Sequence, residues 1–236
     1  MISNSLRLET GTPLTVGSFG DASALRESTP ASVLAACDVA EIRLDLLAAG
    51  GLQPDRQLWE HLNGVPLLFT ARRREEGGAM DSPPALRRSW LEAALSDAAA
   101  IDIEVASLAE LADFLEILKD RQIPLVASYH DFEGTPTTPD LTDRLETARA
   151  AGAAVFKAAA RVQGPADITA LATFQQADHG LPKALMGMGP LAPVSRLLCA
   201  QLGSVLNYGY LGTTPTAPGQ WSAARLKDGI QSLASI

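Results

Sequence analysis

Of the four lysines in this chain, at positions 119, 157, 183 and 227, only Lys157 lies inside an apolar run, Val155-Phe156-Lys157-Ala158-Ala159-Ala160. Desolvation penalises an ammonium in such a place and lowers its pKa, and the freed amine is a nucleophile that forms imines with ketones. The competing role is a buried ion pair with Asp102 or Glu104, which alternate with apolar residues in Ile101-Asp102-Ile103-Glu104-Val105; both roles can hold at once. His130, one of three histidines, follows the run Ala127-Ser128-Tyr129. Its unperturbed pKa near neutrality suits a general base, although a lone histidine can equally be structural.

Other polar residues fall at the ends of apolar runs. Glu41, Arg43 and Asp45 alternate with Ile42 and Leu44, which sends three charges to one face, either the lumen of a closed sheet or the open side of an edge strand. Arg72 follows Leu67-Leu68-Phe69-Thr70-Ala71 and precedes Arg73-Arg74-Glu75-Glu76-Gly77-Gly78, so it either grips an anion or belongs to a solvated charge run, with Glu76 in a flexible loop. Met186 and Met188 alternate as core filler or as the adaptable wall of a site. Arg196, read as opening a helix after Ser195, brings a guanidinium fork beside free backbone N–H groups, which suits a carboxylate. Tyr208 and the segment Thr216-Ala217-Pro218-Gly219-Gln220 add hydroxyls and an amide that could meet a polar ligand.

Positioning these residues requires a regular scaffold. Strands are expected at 14–16, 39–44, 66–70, 100–105, 125–129, 154–158, 184–188 and 204–211, the first being the weakest. Amphipathic stretches lie near 22–36, 55–63, 84–98, 108–120, 140–151, 165–177, 194–202 and 222–234. Eight strand–helix units in 236 residues match a (β/α)8 TIM barrel forming a single domain over 1–236, and neither a GxGxxG turn nor a Walker-type GxxxxGK supports a nucleotide-binding open sheet. In such a barrel the strand C-termini carry the active site, which is where the polar residues fall; the loop at 213–219 is the candidate lid.

Composition sets boundaries. At 47% hydrophobic and 19% charged the chain buries a full core, and a net charge of −8 argues against a nucleic-acid partner. Two distant cysteines, Cys37 and Cys199, with no Cys or His at ligand spacing, indicate neither a disulfide framework nor a metal site and fit a reducing cytoplasm. The start MISNSLRLETG lacks the pattern of a signal peptide, and no stretch of about 18 apolar residues would span a membrane.

Taken together, EIRLD at 41–45, FTARRREEGG at 69–78, IDIE at 101–104, SYHDFEGTP at 128–136, VFKAA at 155–159, MGMG at 186–189, SR at 195–196 and APGQ at 217–220 resemble, in order and spacing, the type I 3-dehydroquinate dehydratases. The resemblance implies a (β/α)8 homodimer that needs no metal or cofactor and dehydrates 3-dehydroquinate to 3-dehydroshikimate. It implies Lys157 as the imine-forming lysine, His130 as the general acid-base and Glu104 as the carboxylate that orients His130 and favours its imidazolium. Glu41, Arg43 and Arg72 would bind ring hydroxyls, Arg196 and Gln220 the substrate carboxylate, with Glu76 and Thr216 on closing loops. Thr216 stands where the family commonly has serine, the run Pro190-Leu191-Ala192-Pro193 replaces a stretch that usually carries glycine, and the segment through Gly20 departs most. Two alternatives are a Schiff-base aldolase, which would gather a phosphate on Gly-rich loops, and a barrel that binds a shikimate-type metabolite without turnover.

Overall fold

A computed structural model describes residues 6–234; residues 1–5 and 235–236, the two ends of the expected domain, lie outside the described residues. Eight parallel strands form one sheet: β1 (Leu14–Phe19), β2 (Val39–Arg43), β3 (Leu67–Thr70), β4 (Ala98–Glu104), β5 (Leu125–Asp131), β6 (Val155–Arg161), β7 (Lys183–Met188) and β8 (Leu206–Leu211). The hydrogen-bonded order runs β7-β6-β5-β4-β3-β2-β1-β8, so β1 and β8 pair and the ends of the sheet, β7 and β8, come back together. At that seam Val205 N–H donates to the Lys183 carbonyl at 2.9 Å, giving a nearly closed (β/α)8 barrel. Two-residue offsets between inward-facing positions at the β2–β3, β4–β5, β6–β7 and β8–β1 ladders supply the stagger that closure demands.

The helices are α1 (Ala22–Glu27), α2 (Pro30–Ala36), α3 (Leu44–Ala49), α4 (Pro84–Ala94), α5 (Ala112–Asp120), α6 (Thr138–Ala150), α7 (Pro165–Gln176), α8 (Ala192–Gln201) and α9 (Ala223–Ala234). Local chemistry starts several of them. Thr29 and Ser32 make a reciprocal capping box before α2, Thr137 and Asp140 another before α6, and prolines stand in the first turns of α2, α4, α6, α7 and α8. The expected helix at 22–36 is two helices, because Pro30 disfavours helical backbone at Thr29 and starts a new turn. The expected helix at 55–63 is a pair of 3-10 turns, Arg56–Leu58 and Glu60–Leu62. Helix α3 instead follows β2 at once and takes Leu44 and Asp45 out of the strand.

Alternation fixes what faces the lumen. The floor is apolar: Val16, Val39, Leu68, Ala100, Val126, Val155, Ala184 and Leu206 are buried in one cluster. Two residues further along the same strands stand Ser18, Glu41, Thr70, Asp102, Ser128, Lys157, Met186 and Tyr208, all buried. The larger apolar core lies outside the barrel wall, between strands and helices. Among the described residues, no helix is long and apolar enough to cross a membrane.

Candidate active site

Above the apolar floor the lumen turns polar and opens, at the C-terminal end of the strands, into a cavity with about 470 Å³ of open space. Lys157 projects into it from the middle of β6, level with Ser128 of β5. Its Nζ donates to Asp102 Oδ2 at 2.8 Å and lies 4.1 Å above the ring of Tyr208. Burial lowers the lysine pKa while Asp102 pulls it up, and the net direction is downward. The surroundings of Nζ are therefore ionic as well as apolar, with the buried ion pair made by Asp102 and not Glu104.

Asp102 is fully buried and shared. Its Oδ1 accepts from Ser128 Oγ at 2.6 Å and pairs with Arg72 Nη2 at 3.0 Å. Arg72 in turn donates from Nη1 to Ser128 Oγ at 2.7 Å and to Glu104 Oε1 at 2.9 Å. Despite burial, the positive charges of Arg72 and Lys157 hold the Asp102 carboxyl below its usual range. Glu41, in the same tier, accepts from Thr70 Oγ1 at 2.8 Å and from Ser18 Oγ.

His130 lies on β5, one inward position nearer the mouth than Lys157, and faces the same cavity. Its Nδ1 is 3.1 Å from Glu76 Oε2, and its backbone N–H donates to that oxygen at 2.9 Å. Burial, then the charges of Arg72, Lys157, Arg43 and Arg196, hold the imidazole well below its ordinary pKa. Burial also pushes the Glu76 carboxyl up to about 7, against the pull of Arg72. With Glu76 ionised, Nδ1 is the donor and the Nε2 lone pair is left for a ligand, so the pair fixes a tautomer suited to a base.

This corrects the expectation for Glu104. It ends β4 below the mouth and accepts from Arg72, from Arg73 N–H at 3.1 Å and from Arg87 Nη1 at 3.1 Å, without lining the cavity or touching His130. The chain turns into a 3-10 segment at Val105, so its side chain meets the arginines of β3 and α4. The loop after β3 reaches His130 because it doubles back at Gly77, whose φ of 86° is left-handed. Burial and then the cations around His130 hold its ring below its ordinary pKa, the direction opposite to the expected imidazolium.

Arg43 and Arg72 line the cavity with carboxylates already attached: Arg43 is clamped by Asp45, with Nε to Oδ1 at 2.8 Å and Nη2 to Oδ2 at 2.7 Å. Asp45 therefore sits in the first turn of α3, outside the cavity lining and not in the lumen as the alternation suggested. Arg196 differs. It is fully buried in the second turn of α8, a turn later than its expected place, and its Nη1 donates to the Tyr208 carbonyl at 2.5 Å and contacts Met186 Sδ at 3.4 Å. Among the described residues no carboxylate pairs with it, its Nε has no partner, and burial lowers its pKa to about 10. An unpaired buried guanidinium at the wall of a cavity favours an anionic ligand.

The remaining expected residues are also here. Met186 and Met188 form the β7 wall; Tyr208 contributes a buried hydroxyl with no partner among the described residues, held as a donor by a pKa far above its ordinary value through burial and Asp102. Gln220 Oε1 accepts from Thr216 N–H and Oγ1, both at 2.9 Å, which leaves its NH2 end to meet a ligand. Sequence reading did not single out Ser18, Phe132 or Ala159 as lining residues. The inward alternation of β1 and β6 would have found Ser18 and Ala159, whereas Phe132 lies past the end of β5. Among the described residues, no cluster of His, Cys, Asp and Glu could hold a metal ion.

Known proteins resemble this chain over most of its length. A model of the family described as type I 3-dehydroquinase matches residues 13–235. A protein of Methanothrix thermoacetophila named 3-dehydroquinate dehydratase is 36% identical over 232 residues, covering 98% of this chain and 95% of the relative. One of the same name from Desulfotalea psychrophila is 34% identical over 197 residues, covering 80% of this chain and 84% of the relative. The crystal structure of 3-dehydroquinate dehydratase from Geobacillus kaustophilus superposes with a TM-score of 0.80 at 25% identity, covering 95% of this chain and 92% of that one. Similarity of this extent, reaching from β1 to α9 and including every strand that carries the cavity, is shared descent: the chain belongs to the type I 3-dehydroquinase family.

Proposed function

We propose that the chain is a hydro-lyase converting 3-dehydroquinate to 3-dehydroshikimate through an imine on Lys157. The observation that carries this reading is the shared cavity of a buried amine with a lowered pKa and a histidine held below its ordinary pKa that bonds to Glu76 through Nδ1, not Nε2. The Lys157 amine attacks the C3 ketone, and the carbinolamine loses water to leave an iminium. That cation withdraws electrons from C2, and His130 Nε2 takes a C2 proton, giving an enamine. The electron pair returns as the C1–O bond breaks, and His130 delivers its proton to the departing hydroxyl, so water leaves from the face where the proton was taken. A second water hydrolyses the imine and restores the lysine. Glu76 orients His130, and Asp102 holds Nζ in place and balances the iminium charge.

The substrate carboxylate goes to Arg196 with the NH2 end of Gln220, because Arg196 is the buried cation of the site whose charge the described residues leave unbalanced. Ring hydroxyls meet Glu41, Arg43 and Arg72; Tyr208 is a further donor; Met186 and Met188 form the apolar wall; and Thr216 sits on the closing loop. Glu104 serves the site through Arg72. We further take the barrel to be one domain, assembled as a homodimer in the cytoplasm. The exposed Val194 and Leu198, one turn apart on α8, and two free, buried cysteines accord with those two readings.

Reductive trapping tests the chemistry. Borohydride added with 3-dehydroquinate should leave a stable mass increment on the peptide containing Lys157, and Lys157→Ala should abolish it. Labelling at Lys183 instead, or no rise of enone absorbance when the intact enzyme meets 3-dehydroquinate, would refute the assignment.

A further inference from the structure

Asp45 touches no part of the cavity, yet it is fully buried at the junction of β2 and α3, and its carboxylate bonds to the residues around the cavity. Its Oδ1 accepts from Arg43 Nε at 2.8 Å and from the Arg72 backbone N–H at 3.2 Å; its Oδ2 accepts from Arg43 Nη2 at 2.7 Å and from the Ala79 backbone N–H at 3.1 Å. Arg72 and Ala79 bracket the turn that carries Glu76. Arg43 Nη2 adds a third fastening, donating to the Gly77 carbonyl at 3.3 Å. The turn is tight, since a Cβ on Gly78 would stand 2.3 Å from the Arg72 carbonyl oxygen, so its two ends cannot drift apart without moving Glu76. From Glu76 the chain of contacts continues to His130 at 3.1 Å.

We propose that Asp45 is a positioning residue that couples the Arg43 subsite to the Glu76–His130 pair through the turn at 73–78. One carboxylate thereby sets both the grip on the substrate ring and the placement of the proton-transfer pair. Charge-assisted bonds of this kind are about twice as strong as neutral ones, which suits a fastening that must hold a loop over a polar cavity. The Asp45 carboxyl lies below its usual range in spite of burial, through Arg43 and the Ala79 amide, so it stays ionised across the working range. The inference rests on the imine reading above for the roles of His130 and Arg43.

Asp45→Asn is the test, because an amide offers one acceptor oxygen and turns an NH2 toward donors. KM for 3-dehydroquinate should rise about tenfold and kcat fall about tenfold, with the acid limb of the pH profile displaced. In a Glu76→Gln background the same change should cost kcat no more than about a further twofold, because both act on one pair. An NMR titration of the His130 ring in the ligand-free protein should move between wild type and Asp45→Asn. A folded Asp45→Asn with wild-type KM, kcat and His130 titration, or losses that multiply with Glu76→Gln, would overturn the proposal. Should Asp45→Asn fail to fold, Ala79→Pro removes one fastening from an exposed position and must displace the acid limb; an unmoved profile overturns the coupling equally. Absence of a Lys157 adduct in the wild type would instead sink the imine reading, and the His130 titration would still decide the role of Asp45.

Discussion

At the scale of single residues, the site works by moving ionisable groups away from their ordinary pKa values. His130 is kept neutral by burial and by four cations, and Glu76 is pushed up to about 7 by burial. The pair therefore has a direction in pH. Above about 7 the Glu76 carboxylate accepts Nδ1–H and leaves Nε2 basic; below it, the carboxylic acid donates to Nδ1 and places the ring proton on Nε2, which can then no longer take one. The expected outcome is a kcat/KM that rises through an apparent pKa near 7 belonging to the pair. Glu76→Gln has no such proton to lose, so that limb should vanish and kcat fall about tenfold, as read from steady-state rates between pH 5 and 9; a limb that persists near 7 would refute the pairing. How far the site was legible depended on this same distinction. Lys157, His130, Arg72 and Arg196 were visible because each is a charge or an imidazole in or beside an apolar run. The identity of the carboxylate on His130 was not, since Glu104 and Glu76 differ only in which way the chain turns after them, at Val105 and at Gly77.

At the scale of elements, the eight strands were legible because each is a short apolar run, and their inward positions followed from alternation. Alternation failed where a strand stopped early: β2 ends at Arg43, so Asp45 left the lumen for α3. Propensity understated two strands. Gly17, Ser18 and Phe19 read poorly as strand yet pair with both β2 and β8, and the alanines at 98–100 begin β4 because the barrel wall needs them there. The loop after β8 shows how an element outside the barrel is tied to the site. Gly189 N–H donates to the Pro218 carbonyl at 3.0 Å, and Gly219, with φ 72°, packs so closely that a Cβ would stand 1.9 Å from the Gly189 oxygen. Gly219→Ala should therefore lift this loop from the end of β7 and carry Thr216 and Gln220 away with it. KM should rise by about tenfold or more while borohydride trapping at saturating substrate persists and the melting temperature changes little, because the loop contributes little to the core. An unchanged KM would show that the loop does not touch substrate.

At the scale of the whole molecule, the chain carries a net charge of −8 yet lines its cavity with Arg43, Arg72, Lys157 and Arg196, and Asp102 is the point on which the stability of that arrangement turns. Breaking a buried pair by removing one partner leaves uncompensated charge and costs about 3–5 kcal/mol. Asp102→Asn should therefore lose stability of that order at pH 7 by urea unfolding, with Lys157 and Arg72 both left facing an amide. The sign of the pH dependence follows from the direction of the shift. The folded-state pKa of Asp102 lies below its value of 3.8 in the unfolded chain, so its contribution is complete above 3.8 and is lost as pH falls through the folded value. The urea midpoints of wild type and Asp102→Asn should accordingly stay far apart from pH 7 down to about 4 and converge below that, where the wild-type carboxyl takes up its proton. A gap that is small at pH 7 would mean that the apolar packing of the floor, not the ionic tier above it, holds the eight strands in register. A gap that stays constant down to pH 2.5 would mean that Asp102 contributes through shape alone and that its charge plays no part in holding Lys157.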